Sequence, residues 1–199
     1  MKNLVVYVHG KGGSAAEAER YRPLFPGCDV VGFDYQAQTP WDAVPEFTAF
    51  FAAQRRAYDS VTLIANSIGA FLSMSAFSEE FVDNALFISP IVDMEKLISN
   101  MMTWAGVTEE DLHAQGEIRT DFGETLSWEY LCYVRAHPLH WGVPTRILYG
   151  EHDNLTDYGT IAAFACRTQA PLTVMPGGEH WFHTEEQIAF LDDWVKAAL

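Results

Sequence analysis

The sequence predicts an α/β fold: a doubly wound, mostly parallel sheet of about six strands with helices on both faces and a helical cap inserted in the middle of the chain. Three observations predict it. Short apolar, β-branched runs recur without polar alternation, as strands buried on both faces require. Segments of helical spacing lie between them and give a βαβα order. One connection, residues 91–141, is far longer than the roughly 2–6 residues that most connections take.

The strand runs are residues 4–8, 30–33, 61–65, 85–89, 146–149 and 172–175. Between the second and third, residues 41–58 place Val44, Phe47, Phe50 and Phe51 at helical spacing, and residues 68–77 and 161–166 are shorter examples. Residues 188–199 close the chain, with Thr184 and Gln187 spaced as a capping box. The long insertion carries its own helical patterns at 94–102, from Thr108 in "TEEDL", and at 126–135, so it reads as a lid or cap.

Composition narrows the function. The 199 residues are 49% hydrophobic and 14% aromatic, enough to bury one core, so residues 1–199 are read as a single domain. Twelve Lys+Arg against 27 Asp+Glu give a net charge of −15, which repels nucleic acid and anionic lipid and favours a small-molecule partner. Cys28, Cys132 and Cys166 are odd in number and lack CxxC spacing, so neither a zinc site nor a disulfide framework is expected. Residues 4–8 are too short for a signal-peptide core, and no run approaches the ~20 apolar residues that span a bilayer. The expectation is a cytoplasmic protein, in which "NLT" at Asn154 is not a glycosylation site.

Ligands of open parallel sheets bind beyond the carboxyl ends of the strands. Four of those ends are chemically loaded: "HGKGGS" (9–14), "ANSIG" (65–69), "YGEHD" (149–153) and "PGGEH" (176–180). In "ANSIG" the small residues Ala65 and Gly69 flank Ser67 at two residues on either side, the pattern of a tight strand-to-helix turn that presents a serine outward. A serine capping a buried helix is the structural alternative. An acid and a histidine come later, each after a further strand.

In this order of residues the chain resembles the α/β-hydrolase family of serine hydrolases over nearly its whole length. The resemblance implies the α/β-hydrolase fold, with Ser67 as nucleophile, Asp153 as acid and His180 as base. It also implies an oxyanion hole from the backbone N–H groups of Lys11 and Ile68. Compared with the family, the chain begins at the third strand, has Ala65 where glycine is usual, and in "FDYQAQTP" lacks a glycine-rich stretch.

Each assignment has rivals. Glu151 and Asp93 compete for the acid, and His183 and His152 for the base; His152 adjoins Asp153 and would point away from it in extended chain. His9 reads as structural, holding its loop by a hydrogen bond. Lys11 is either solvated or placed to meet an anionic substrate group. Aromatic and Met residues are frequent in the insertion; Met101, Trp104, Trp128 and Tyr133 are the candidates for a substrate pocket, alongside Met102, Phe122, Tyr130 and Trp141. The expected activity is a carboxylesterase-like serine hydrolase cleaving a small ester or thioester through an acyl-enzyme on Ser67, with no metal or organic cofactor. A peptidase or amidase, or a non-catalytic ligand receptor on the same fold, are the alternatives.

Overall fold

The structure is a computed structural model that describes residues 2–77 and 79–198. In chain order it runs β1 (Asn3–Val8), a 3-10 helix (Ala15–Leu24), β2 (Cys28–Phe33), α1 (Pro40–Ala57), β3 (Ser60–Asn66), α2 (Ile68–Ala76) and β4 (Asn84–Ile88). The insertion comes next as α3 (Met94–Ala105), α4 (Glu109–Gln115), β5 (Glu117–Arg119), β6 (Thr125–Ser127) and α5 (Trp128–Ala136). β7 (Thr145–His152), α6 (Tyr158–Thr168), β8 (Leu172–Glu179) and α7 (Glu185–Ala197) complete the chain.

Six strands form one parallel sheet in the order β2-β1-β3-β4-β7-β8. The chain leaves β1 toward one edge, makes β2, and then crosses back to β3 on the other side of β1. The strand order therefore reverses between β1 and β3, the position where a doubly wound sheet opens a crevice at its carboxyl edge. His9 comes just after β1 and Ser67 just after β3, so both stand at that reversal.

Both faces of the sheet are covered, which is why the strand runs are apolar throughout. Val5, Tyr7 and Val30 join Ala18 and Tyr21 of the 3-10 helix and Leu191, Trp194 and Val195 of α7 in one buried cluster. Phe33 lies three residues after Val30 and so projects from the opposite face; there it meets Phe47 and Phe51 of α1, both fully buried. The chain divides into two compact units, one of residues up to Val92 together with those from His140 onward, and one of Asp93–Leu139.

The α/β class and the six strands are as the sequence predicts, with instructive differences. β7 and β8 run on to His152 and Glu179, beyond the apolar runs, because a bulge keeps them paired past Gly150. Ser89, expected within a strand, lies just past β4 with a φ of 43°. The 3-10 helix shows no apolar period, since only Ala18 and Tyr21 are buried and Pro23 sits inside it; its sequence signal is the capping-box spacing of Ser14 and Glu17. In the insertion, Leu126 is not helical but pairs with Ile118 in the β5–β6 hairpin, and the helix starts at Trp128, capped by Ser127. α6 begins earlier than expected, at Tyr158, where the Asp157 side chain caps it. Thr184 caps α7 as predicted, but the second half of the box is displaced: Gln187 Oε1 accepts from His183 N at 3.1 Å. The expected end of that helix at Leu199 lies outside the described residues. No helix among the described residues is long and apolar enough to cross a membrane.

Candidate active site

The turn from β3 into α2 places Ser67 at φ 52° and ψ −119°, a conformation that L-residues adopt only where surrounding contacts enforce it. Here those contacts are explicit. Ser67 N donates to Ile88 O at 3.0 Å, and Ser67 O accepts from Ile91 N at 3.2 Å, so both backbone groups of the strained residue are tied to the end of β4 and the segment after it. The hydroxyl makes no capping hydrogen bond to α2, which removes the helix-cap alternative.

Gly69 allows this turn to sit against β1. A Cβ at that position would lie 2.4 Å from His9 O and 2.8 Å from Val8 O, both backbone atoms. The same approach brings the loop after β1 beside Ser67, for a Cβ on Gly10 would lie 3.3 Å from Ser67 Cβ. The loop then turns at residues 10–13, where Gly13 N donates to Gly10 O at 3.1 Å and Gly12 takes a φ of 74°, as the third residue of a type II turn must. Lys11 is exposed at the corner of that turn, and Ile68 opens α2, where a first-turn N–H has no partner within the helix.

The acid and the histidine arrive from β7 and β8. At the bulge, Gly150 lets the two strands close in, since a Cβ there would lie 2.5 Å from Glu179 O and 2.6 Å from Gly178 O. Bulges bend a strand and re-aim the side chains beyond them; here His180 is the first residue past β8. After β7, Asp153 Oδ1 accepts from Leu155 N at 2.8 Å and Thr156 N at 3.0 Å, an Asx-type turn that fixes the carboxylate. Buried Tyr149 secures the far side of the turn by donating to Thr156 O at 2.8 Å. Burial, reinforced by the negative charges of Asp153 and Asp157, pushes the Tyr149 phenol up to about 12.

These elements bring three side chains into line. Ser67 Oγ lies 2.8 Å from His180 Nε2, and His180 Nδ1 lies 2.7 Å from Asp153 Oδ2. A carboxylate only accepts, so Nδ1 carries the proton and Nε2 is left to accept from the serine hydroxyl. The Asp153 side chain has no solvent exposure and that of His180 has 14%. An imidazole so held can take the hydroxyl proton and return it to a leaving group.

The rival residues are otherwise engaged. Asp93 is exposed and caps α3 by accepting from Lys96 N at 2.9 Å. Glu151 accepts from Gly177 N at 2.8 Å, and His152 ends β7 in an exposed position. His183 turns back on its own loop, with Nδ1 donating to Trp181 O at 2.7 Å and its ring stacked on the Trp181 indole. His9 Nδ1 donates to Gly10 O at 2.9 Å and the ring stacks on Tyr35, whose hydroxyl donates to His9 O.

The pocket candidates of the insertion have partners within their own unit. Trp104, half exposed, meets Phe122 edge-on; Trp128 packs on His113; Tyr133 stacks on His137; Met101 is partly buried. Trp141 belongs instead to the sheet unit, where it packs on Phe77 and Phe87 and donates from Nε1 to Thr145 Oγ1 at 2.8 Å. Among the described residues no cluster of His, Cys, Asp and Glu could hold a metal ion, and Cys28, Cys132 and Cys166 are free thiols.

Comparison with known proteins places this architecture. No protein-family model matches the chain, and no curated protein matches its sequence. Solved structures do match its fold. Est1E from Butyrivibrio proteoclasticus superposes with a TM-score of 0.74 at 17% identity, over 99% of this chain and 86% of that one. A second structure of Est1E, with ferulic acid bound, gives 0.70 at 16% identity over 98% and 87%. Alpha/beta hydrolase domain-containing protein 10 from mouse gives 0.72 at 15% identity over 98% and 88%. The chain has the α/β-hydrolase fold.

Proposed function

We propose that the protein is a serine hydrolase cleaving a small ester or thioester through an acyl-enzyme on Ser67. The observation that carries this reading is the continuous line from Ser67 Oγ through His180 to the buried Asp153 carboxylate, 2.8 and 2.7 Å apart.

In the reaction, His180 Nε2 takes the Ser67 proton as Oγ attacks the carbonyl carbon, and the carbonyl oxygen becomes an oxyanion. The N–H groups of Lys11 and Ile68 stabilise that charge, and the strained turn at Ser67 holds the nucleophile at their edge. His180 then protonates the leaving alcohol or thiol and the tetrahedral species collapses to the acyl-enzyme. Water, activated by the same imidazole, releases the acid and restores the serine. Asp153 fixes the tautomer of His180 and stabilises the imidazolium that forms twice in the cycle. Est1E has been captured with ferulic acid, which supports an ester with a small acyl group as substrate. The net charge of −15 favours a neutral one.

The test is labelling with a fluorophosphonate and mapping of the adduct by mass spectrometry, alongside hydrolysis of nitrophenyl esters and of the anilide of the same acyl group. The reading expects the adduct on Ser67 and turnover of the ester well above the anilide. An adduct on another serine, or no turnover above the Ser67→Ala protein, overturns it.

A further inference from the structure

The loop after β1 carries Gly10, Gly12 and Gly13 among six residues. Glycine loses more conformational freedom on ordering than any other residue, so this loop has little rigidity of its own, yet stabilising an oxyanion requires an N–H group fixed in advance. Something outside the loop must hold it.

Two anchors are visible. At the near end, Tyr35 Oη donates to His9 O at 2.9 Å. At the far end, one carboxylate joins two elements: Glu17 Oε1 accepts from Ser14 N at 3.0 Å, and Glu17 Oε2 accepts from the Tyr7 hydroxyl at 2.5 Å. Glu17 also lies flat against the loop, its Oε1 only 2.7 Å from where a Cβ on Gly13 would stand, so Gly13 is the residue that admits the carboxylate. Tyr7 is a buried strand residue, 2% exposed, two positions before His9. Burial first, then Tyr21 and the bond to Glu17, hold its phenol far above the usual range, so it stays a donor at every working pH. Asn66, next to Ser67, faces the near end of the same loop, its Cγ 3.7 Å from the Cβ position of Gly10. The buried hydroxyl is thus tied through one carboxylate to the far end of the glycine loop.

We propose that Tyr7 and Glu17 are positioning residues for the oxyanion-binding loop, holding residues 10–14 at the distance from Ser67 that the transition state needs. This rests on the hydrolase reading above. Neither residue touches substrate. Their hydrogen bonds act through the loop backbone, so their loss weakens transition-state binding and leaves ground-state binding of the ester nearly unchanged.

The experiment uses Tyr7→Phe and Glu17→Gln in the full chain. Tyr7→Phe keeps the buried ring and removes one donor; Glu17→Gln changes an exposed side chain and keeps the fold if Tyr7→Phe does not. With nitrophenyl esters, kcat is expected to fall about 10- to 100-fold, the scale of a small misplacement of a reacting group, with KM within about 3-fold of wild type. Affinity for a trifluoromethyl ketone should fall in step with kcat. Hydrogen exchange should accelerate at the amides of Gly13 and Ser14. Unchanged kcat, a loss confined to KM, or a loss of kcat without a loss of ketone affinity overturns the proposal. So does faster exchange confined to residues 15–24, the result expected if Glu17 only caps the 3-10 helix. Hydrogen exchange decides the anchor even in an inert protein. Absence of wild-type turnover and labelling would sink the hydrolase reading and the catalytic role of the anchor with it, whereas unchanged exchange at Gly13 and Ser14 in an active enzyme would sink this proposal alone.

Discussion

His180 Nδ1 and Asp153 Oδ2 lie 2.7 Å apart, and the other oxygen of that carboxylate is already bound by two backbone N–H groups. The carboxylate is therefore fixed before the histidine meets it. Asp153→Asn replaces the oxygen facing Nδ1 or turns an amide N–H toward it, and kcat is expected to fall by about 10²–10⁴. Asp93→Asn should leave kcat within a few-fold of wild type, since asparagine caps a helix as well as aspartate does. Steady-state kinetics on both variants check the pair, and the reverse ranking would show that the acid is supplied from the end of β4.

Close packing of the serine turn on β1 makes a second, graded prediction. In Gly69→Ala the new methyl meets His9 O at 2.4 Å, a backbone atom that cannot yield cheaply. The variant should lose about 1–3 kcal/mol or more and most of its activity. Gly10→Ala meets nothing closer than Ser67 Cβ at 3.3 Å and Asn66 O at 3.4 Å and should be folded but slower. Thermal melts and kcat together check the order; equal stability of the two variants would contradict the geometry.

Tyr149 gives a pH-dependent prediction. Its phenol is raised to about 12 in the folded protein, above the value near 10 of an unfolded chain. The folded state thus favours the protonated phenol, and that stabilisation is fully present below about pH 10 and is lost as pH rises toward 12. Tyr149→Phe leaves Thr156 O without its donor and should cost about 1–2 kcal/mol near neutrality. The gap between wild type and variant should shrink as pH rises from 10 to 12. Denaturant melts across that range measure it, and a constant gap would mean that the phenol does not titrate with unfolding.

The sequence made some of these features legible and hid others for physical reasons. Ser67, Asp153 and His180 stand out because each comes after a strand run and sits among small or polar residues that break the apolar pattern. Tyr7 does not, because an aromatic inside a β-branched run reads as core, and core it also is. Glu17 is hidden from the apolar pattern, since the 3-10 helix that carries it has no apolar period; the signal that marks it is its capping-box spacing from Ser14. The β5–β6 hairpin escaped because strands of three residues are shorter than any period can register. Position along the chain groups Trp141 with the insertion, whereas its indole N–H binds Thr145 at the start of β7 and its ring packs on the sheet unit.

The net charge of −15 leads to a final prediction about substrate charge. A strongly acidic surface lowers the local concentration of anions and slows their approach, and salt screens this over about 10 Å at 0.1 M. Lys11, exposed on the loop beside Ser67, can offset one negative charge but not two. Between esters of equal size, kcat/KM should therefore fall from neutral to singly to doubly anionic acyl groups at low ionic strength. Added salt should raise the rate for the doubly anionic ester and leave the neutral one unchanged. Lys11→Ala should widen the gap between the neutral and singly anionic esters while keeping neutral turnover within about 3-fold, because the substitution retains the backbone N–H. The measurement is kcat/KM for the three esters from about 10 to 300 mM salt, a range over which surface charges pass from weakly to strongly screened. Equal rates for the neutral and doubly anionic esters at the lowest salt would show that surface charge does not select the substrate.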